Sequence, residues 1–314
     1  MARLLLGNSL KNAVIRLPLL QHFLWAVEAS VFALFMGISG LLSPERASAL
    51  GRRLFRAVGP RMDKSRIFRR NLMLAFPEKS AGEIESLIRE IWGNVGAVLA
   101  EYPHLPTYAV PGNSQRLEIV NNSDSQALQR NSKPAIFVSA HLANWELPAA
   151  ALRRLGVQGS VLYTPLQNPW LDHMLYKARA QMGMSLLPRD GGIRTLVREL
   201  GSGKSIGLLV DQRVDSGVPV PFFGLDMHTS TTPARLALRY RCDLIPVRVQ
   251  RLGDARFRVT LEKPIRPSEG ITDEHQQILD MTRQLNKLFE AWIREQPQDW
   301  LCSKRRWPKD ARRP

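Results

Sequence analysis

The sequence predicts an α/β fold with a mostly parallel central sheet flanked by helices, preceded by one N-terminal hydrophobic helix. Short apolar runs bounded by turn residues alternate with helical stretches, the pattern of strands buried on both faces between crossover helices. A hydrophobic fraction of 44% over 314 residues supplies the core that such a sheet requires. Residues 17–42 carry a single formal charge, Glu28, which sets them apart from everything that follows.

That N-terminal stretch exceeds the roughly 20 apolar residues that a membrane-crossing helix needs. Glu28 and His22 demand a partner, or the interface, if it enters hydrocarbon. Pro44 and Glu45 follow it instead of a small-residue cleavage pattern, so it reads as a retained anchor, with a buried core helix as the competing reading. Basic residues flank both ends, Arg3, Lys11 and Arg16 before it and Arg46, Arg52, Arg53 and Arg56 after it, with a slight bias toward a cytoplasmic C-terminal bulk. Residues 46–80 mix arginines with apolar side chains, which suits a helix lying on an anionic membrane as well as a solvated basic face. The expected division is 1–45 as anchor, 46–80 as a membrane-proximal segment and 81–314 as an α/β domain.

Within that domain GEIESLIREIWGNVGAVLAEY reads as a helix and 103–112 as a loop. AIFVSAH has the bounded apolar character of a buried strand, NWELPAAALRRLG is a helix ended by Gly156, and 161–164 is a second strand. Asn168 caps the next helix, Pro169 suits its first turn and Gly183 ends it. MSLLPR, GGIRTLVRELGSG and SIGLLVDQ continue as strand, helix and strand. TTPARLALRYR opens a helix capped by Thr232, LIPVRVQRL and ARFRVTLEKPI form a strand pair, and a long helix covers 272–295. His141 and Asp211 then stand at the carboxyl ends of two buried parallel strands, outside which open α/β sheets bind their ligands.

Forty-four Lys and Arg face 28 Asp and Glu, a net charge of +16, which implies an anionic partner: lipid surface, acidic protein, phosphorylated substrate or nucleic acid. The two cysteines, Cys242 and Cys302, share no motif, which excludes a disulfide scaffold and a cysteine-built zinc site. HExxH, GxGxxG and Walker patterns are absent, and GSGK lies between a helix and a strand, the wrong context for a phosphate loop. No metal or redox cofactor is implied. No recognisable nucleic-acid module accompanies the charge.

HLANWE sets His141 and Glu146 five residues apart. A strand-to-helix turn can return the carboxylate to the imidazole, fixing its tautomer and leaving the other ring nitrogen as a general base. The same pair also suits a purely structural contact. The helix after NPW carries Asp172, Tyr176 and Arg179 on one side, so Arg179 either faces an anion, oriented by Asp172 or Tyr176, or makes a solvent-facing ion pair. Asp211 in DQR orients a polar group or caps a loop.

Taken in order, RIFRRNLMLAFPE, HLANWE, YTPLQNPWLDHMLYKAR, RDGGIRTLVREL, LLVDQR, VPFFG, TPARLALR and AWIREQPQDWLCSKRRWP resemble the bacterial lipid A biosynthesis acyltransferases, the late acyltransferases of lipopolysaccharide assembly, over nearly the whole chain. The type resembled is the Kdo2-lipid IVA lauroyl/myristoyl acyltransferase. The resemblance implies a glycerolipid-acyltransferase-like fold, His141 and Glu146 as the His-x4-acid catalytic pair, and Arg179 and Asp211 in the site, with Asp172 and Asn168 supporting. It implies transfer from an acyl-carrier-protein or coenzyme A thioester to a hydroxyl of a phosphorylated glycolipid, at the cytoplasmic face of the inner membrane. Lys304, Arg305 and Arg306 become contacts for phosphate or membrane. Two departures stand out: Thr164 where many relatives carry arginine, and Lys304 where many carry histidine before the paired arginines. They leave room for another acceptor, such as a phosphatidylinositol mannoside. Backbone amides near His141 are the candidates for meeting charge on the carbonyl oxygen.

Overall fold

The computed structural model describes residues 18–112, 115–123, 133–308 and 311. Arg3, Lys11 and Arg16, flanking the first helix, and residues 124–132 lie outside the described residues. Helix α1 (Pro18–Leu41) is long and apolar enough to cross a membrane. It presents Phe23, Val27, Val31, Leu34 and Ile38 outward. Its one acid is not left bare: Glu28 accepts from the Asn168 side-chain amide at 3.0 Å.

Helix α2 (Pro44–Val58) starts on Ser43 as N-cap and is followed by α3 (Ser65–Ala75) and α4 (Ala81–Glu101). Ser80 and Glu83 form a reciprocal capping box that fixes the start of α4. Where α2 crosses α4, Gly51 and Gly96 let the backbones touch, since a methyl on either meets the other's carbonyl. The stretch expected as a loop at 103–112 instead begins with a 3₁₀ turn, Tyr102–His104, and the short helix α5 (Leu105–Ala109). Prolines at 103 and 106 fit the first turns of these short helices, so they do not force a loop.

The sheet contains β1 (Leu117–Asn121), β2 (Ala135–Ser139), β3 (Gly159–Tyr163), β4 (Ser185–Pro188), β5 (Ser205–Leu209), β8 (Asp243–Gly253) and β9 (Arg256–Leu261), in the order β1-β9-β8-β2-β5-β3-β4. Every neighbouring pair is parallel except β8–β9, the hairpin that the sequence predicts. Strand β1 escapes the sequence reading because it is short and carries Glu118. A separate antiparallel hairpin, β6 (Val218–Phe222) with β7 (Leu225–Thr229), also escapes it, since prolines occupy two of the five positions of β6.

The helices α6 (Leu147–Arg154), α7 (Pro169–Ala180), α8 (Arg189–Gly201), α9 (Thr232–Tyr240) and α10 (Glu274–Glu295) cover the sheet. Alternation along β2 serves two cores: Ile136 and Val138 join one with α8, α9 and α10, while Ala135 and Phe137 join another with α6 and α7. The strand is therefore buried on both faces, which explains its unbroken apolar run. Thr231, not Thr232, precedes the first residue of α9.

Candidate active site

The site arises from strand register. Parallel β2 and β5 pair Ser139 with Leu209, and the Val210 N–H donates to the Ser139 carbonyl at 3.0 Å. Two residues further along each strand come His141 and Asp211, now side by side, with His141 Nδ1 2.6 Å from Asp211 Oδ1. The Trp300 indole N–H donates to Asp211 Oδ2 at 3.2 Å. Burial pushes the Asp211 carboxyl up, but the His141 ring, Arg306 and the Trp300 indole outweigh it and hold the pKa down at about 2. An ionised Asp211 accepts a hydrogen bond from Nδ1–H, which leaves the lone pair of the neutral imidazole on Nε2. Gln212 places its side-chain amide nitrogen 3.3 Å from that Nε2.

Glu146 does not fold back onto His141 as expected. Arg179 grips it bidentately, Nε to Oε2 at 2.9 Å and Nη2 to Oε1 at 2.7 Å, and the Tyr102 hydroxyl donates to Oε1 at 2.5 Å. The reason is geometric: Glu146 stands at the start of α6, turned toward α7 and the end of α4, while Asp211 already occupies the Nδ1 side of the ring. Burial pushes the Glu146 carboxyl up, yet Arg179, Tyr102 and, more distantly, His141 bring it below the usual carboxylate range. Burial works against the Arg179 charge, but Glu146 and Tyr102 raise its pKa. The partners expected for Arg179 are elsewhere: Asp172 accepts from the Leu166 N–H at 2.8 Å, and Tyr176 packs on Tyr163.

The loop between these residues is clamped from behind. Ala143 adopts a left-handed backbone (φ 48°), a costly conformation for alanine. Its N–H donates to the Asp299 carbonyl at 3.0 Å and its carbonyl accepts from the Asn94 amide at 2.9 Å. Arg251 donates to Asn94 and closes a buried ion pair with both oxygens of Glu101, whose Oε2 also accepts from the Asn144 amide at 2.9 Å. The Leu301 N–H donates to the His141 carbonyl at 2.8 Å.

His141, Trp145, Glu146, Arg179 and Gln212 line a cavity of about 1900 Å³. Its wall combines apolar side chains, among them Phe137, Val161, Met182 and Leu196, with cations that include Lys64, Arg189, Arg213, Arg235, Lys304 and Arg305. Burial and the neighbouring charge of Lys304 lower the Lys64 pKa, and burial and Arg189 lower that of Lys304. Such a space accepts an apolar chain together with an anionic group. The sequence and this arrangement can be set beside known proteins: the model of the family described as "Bacterial lipid A biosynthesis acyltransferase" matches residues 18–309. The chain belongs to the bacterial lipid A biosynthesis acyltransferase family.

Among its relatives, the lipid A biosynthesis lauroyltransferase of Escherichia coli (strain K12) is 24% identical over 78% of this chain and 79% of its own length. Lipid A biosynthesis acyltransferase 1 of Shigella flexneri is 25% identical over 73% of this chain and 71% of its own. The lipid A biosynthesis palmitoleoyltransferase of Escherichia coli (strain K12) is 24% identical over 77% and 78%. Relatives of different acyl specificity thus match to a similar degree, and membership is of the family rather than of one subtype.

In this acyltransferase the remaining expected site residues divide. Lys304 and Arg305 lie on the cavity wall. Arg306 does not face phosphate or membrane: it is 1% exposed, its guanidinium sits 4.6 Å over the Phe222 ring, and burial lowers its pKa to about 10 despite Asp211. The cause is Asn71 of α3, which holds the carbonyls of Cys302 and Lys304 and the N–H of Arg306, drawing the segment inward. Asn168 caps α7 through the N–H groups of Trp170 and Leu171 and ties it to Glu28 and the Trp25 carbonyl of α1, which makes it a structural joint. Tyr102 and Gln212 escape the sequence reading as site residues, and Trp300 enters it only within the last family motif, without a role beside Asp211. Only Gln212, beside Asp211 in DQR, carried a signal that could have found it.

Proposed function

We propose that this acyltransferase moves a fatty acyl chain from an acyl-carrier-protein thioester to a hydroxyl of a phosphorylated lipid A precursor, at the cytoplasmic face of the bacterial inner membrane. One observation carries the reading: His141 has one ring nitrogen on an ionised, buried carboxylate and the other beside a large, mixed apolar and cationic cavity. His141 Nε2 takes the proton of the acceptor hydroxyl as its oxygen attacks the thioester carbonyl carbon. Asp211 orients the ring and stabilises the imidazolium that forms. Collapse of the tetrahedral intermediate breaks the C–S bond, and the imidazolium returns the proton to the departing thiolate. Glu146 and Arg179 set the shape and field of the wall, and Glu146 acts on His141 through space.

Residues 1–45 anchor the enzyme, 46–80 lie against the anionic membrane surface and 81–314 carry the chemistry. α1 spans about 36 Å at 1.5 Å per residue, enough for the hydrocarbon layer of roughly 30 Å. The cations of the cavity wall suit both acceptor phosphates and an acidic carrier protein. Thr164 stands on the cavity wall where the family resemblance implies arginine, which favours as second reading a different glycolipid acceptor, such as a phosphatidylinositol mannoside; acyl-coenzyme A is the alternative donor.

The test crosses purified full-length enzyme against acyl-carrier-protein and acyl-coenzyme A donors and against phosphorylated lipid A precursor and phosphatidylinositol mannoside. Products are identified by mass. Acylated lipid A precursor from the carrier-protein donor is the expected result. A product from the mannoside alone establishes the second reading, and no acyl transfer with any pair rejects both.

A further inference from the structure

The hydrogen-bond donor that meets the developing oxyanion is the group this reaction requires and the His141–Asp211 pair cannot supply. The two backbone amides that follow His141 in the chain are committed elsewhere. The Leu142 N–H donates to the Ala140 carbonyl at 2.8 Å and the Ala143 N–H to the Asp299 carbonyl at 3.0 Å. Freeing either means undoing the turn that presents His141.

Gln212 is the polar group beside the base. Its amide nitrogen lies 3.3 Å from His141 Nε2, and both side chains line the cavity. Asp211 on Nδ1 makes Nε2 an acceptor, so the amide N–H donates to the lone pair that must take the substrate's proton. An arriving hydroxyl displaces this donor, which leaves an amide N–H unpartnered within one hydrogen-bond length of the reacting atoms.

We infer that Gln212 is a further catalytic residue: its side-chain amide caps the resting base, is displaced by the acceptor hydroxyl, and then donates to the oxyanion of the tetrahedral intermediate. The inference rests on the acyl-transfer reading above. The step balances: the acceptor oxygen bonds to the carbonyl carbon as its proton passes to Nε2, the carbonyl electron pair moves to oxygen, and the Gln212 N–H meets that charge. The pair returns as the C–S bond breaks, and the proton leaves with the thiolate. Neighbouring positions 211 and 212 thus divide the work, one on each nitrogen of the ring.

Gln212→Met keeps the size and removes the donor, and Gln212→Glu keeps the shape and replaces the donor with an acceptor. Both are compared with wild-type enzyme in full-length form, with circular dichroism and thermal melting confirming the fold. Each variant should lose about 10²–10³ in kcat while KM for donor and acceptor stays within about threefold. A trifluoromethyl ketone analogue of the donor, whose carbonyl adds water to give a tetrahedral hydrate that can pass a proton to His141 and leave an oxyanion, should bind either variant weaker by a similar factor, while a thioether analogue without the carbonyl binds all three alike. Folded variants that keep kcat within about threefold of wild type overturn the inference. So does a kcat loss that leaves trifluoromethyl ketone binding intact, because Gln212 then does no more than pack the ring. Wild-type enzyme that turns over no donor and acceptor pair sinks the acyl-transfer reading and this inference together. Wild-type turnover matched by both variants sinks only the role of Gln212.

Discussion

Two buried carboxylates flank the HLANWE loop, and they do opposite things. Asp211 spends one oxygen on His141 and the other on the Trp300 indole, so its charge is coupled to a ring that can gain and lose a proton. Glu146 is saturated by a permanent cation, with Arg179 on both oxygens and Tyr102 on one. A carboxylate that faces a titrating ring can tune a base, whereas one that faces a guanidinium builds a wall. The role of each acid follows from which cation the fold sets against it, and spacing along the chain does not decide that.

The largest effect should come from the proposed base. His141→Ala should lower kcat by about 10²–10⁴ with folding intact, as read by single-turnover rates and circular dichroism. Asp211→Asn should come close to it, since an amide can donate to Nδ1 and force the proton onto Nε2, the wrong tautomer; about 10²-fold or more is expected. Turnover near normal in either folded variant would break the assignment of Asp211 as the partner of His141.

Glu146→Gln should show the reverse balance. It leaves the Arg179 charge buried without its counterion, so denaturant unfolding should report a loss of about 3–5 kcal/mol, with the kcat loss smaller than for Asp211→Asn. Glu146→Leu combined with Arg179→Met should recover much of that stability, because it removes both charges from a buried site. A Glu146→Gln variant that is fully stable yet as slow as Asp211→Asn would mean that Glu146 serves the ring directly.

Asp299 sharpens the comparison from a third side, as an acid close to cations that is not rescued by them. Burial raises its pKa to about 6 against the pull of Arg251, Arg52 and Arg248. The folded protein therefore binds more protons than the unfolded chain between the ordinary carboxylate range and pH 6. Stability should fall as pH rises through that window and stay level above it. Asp299→Asn should flatten this segment and raise the neutral plateau by on the order of 3 kcal/mol. The effect of Asp211 is opposite in sign: its stabilisation is present above the ordinary carboxylate range and is lost as pH falls toward 2. The smallest change belongs to the joint between α1 and α7. Asn168→Ala removes the cap of α7 and the partner of Glu28, for a loss of about 1 kcal/mol in thermal melting with little change in kcat.

Much of this was legible in the order of residues alone. The apolar runs that became β2 and β5, the Asn168–Pro169 start of α7, the uncharged helix α1 and the ordered family motifs are all local patterns, and local patterns are what periodicity, capping chemistry and turn residues report. From them the fold class, the acyltransferase family and the prominence of His141, Glu146, Arg179 and Asp211 could be read. Which of the four touch could not. The register that pairs Ser139 with Leu209 joins His141 to a residue seventy positions away, while the start of α6 turns the near neighbour Glu146 toward Arg179 and Tyr102. The same holds for Arg306, which looks like a surface cation in a basic run until Asn71 pulls its segment into the aromatic core. Sequence determined which chemical groups were present and on which kind of element. Only the packed structure decided which charge faces which, because electrostatic partners are chosen by distances of a few ångströms that strand register and helix contacts set.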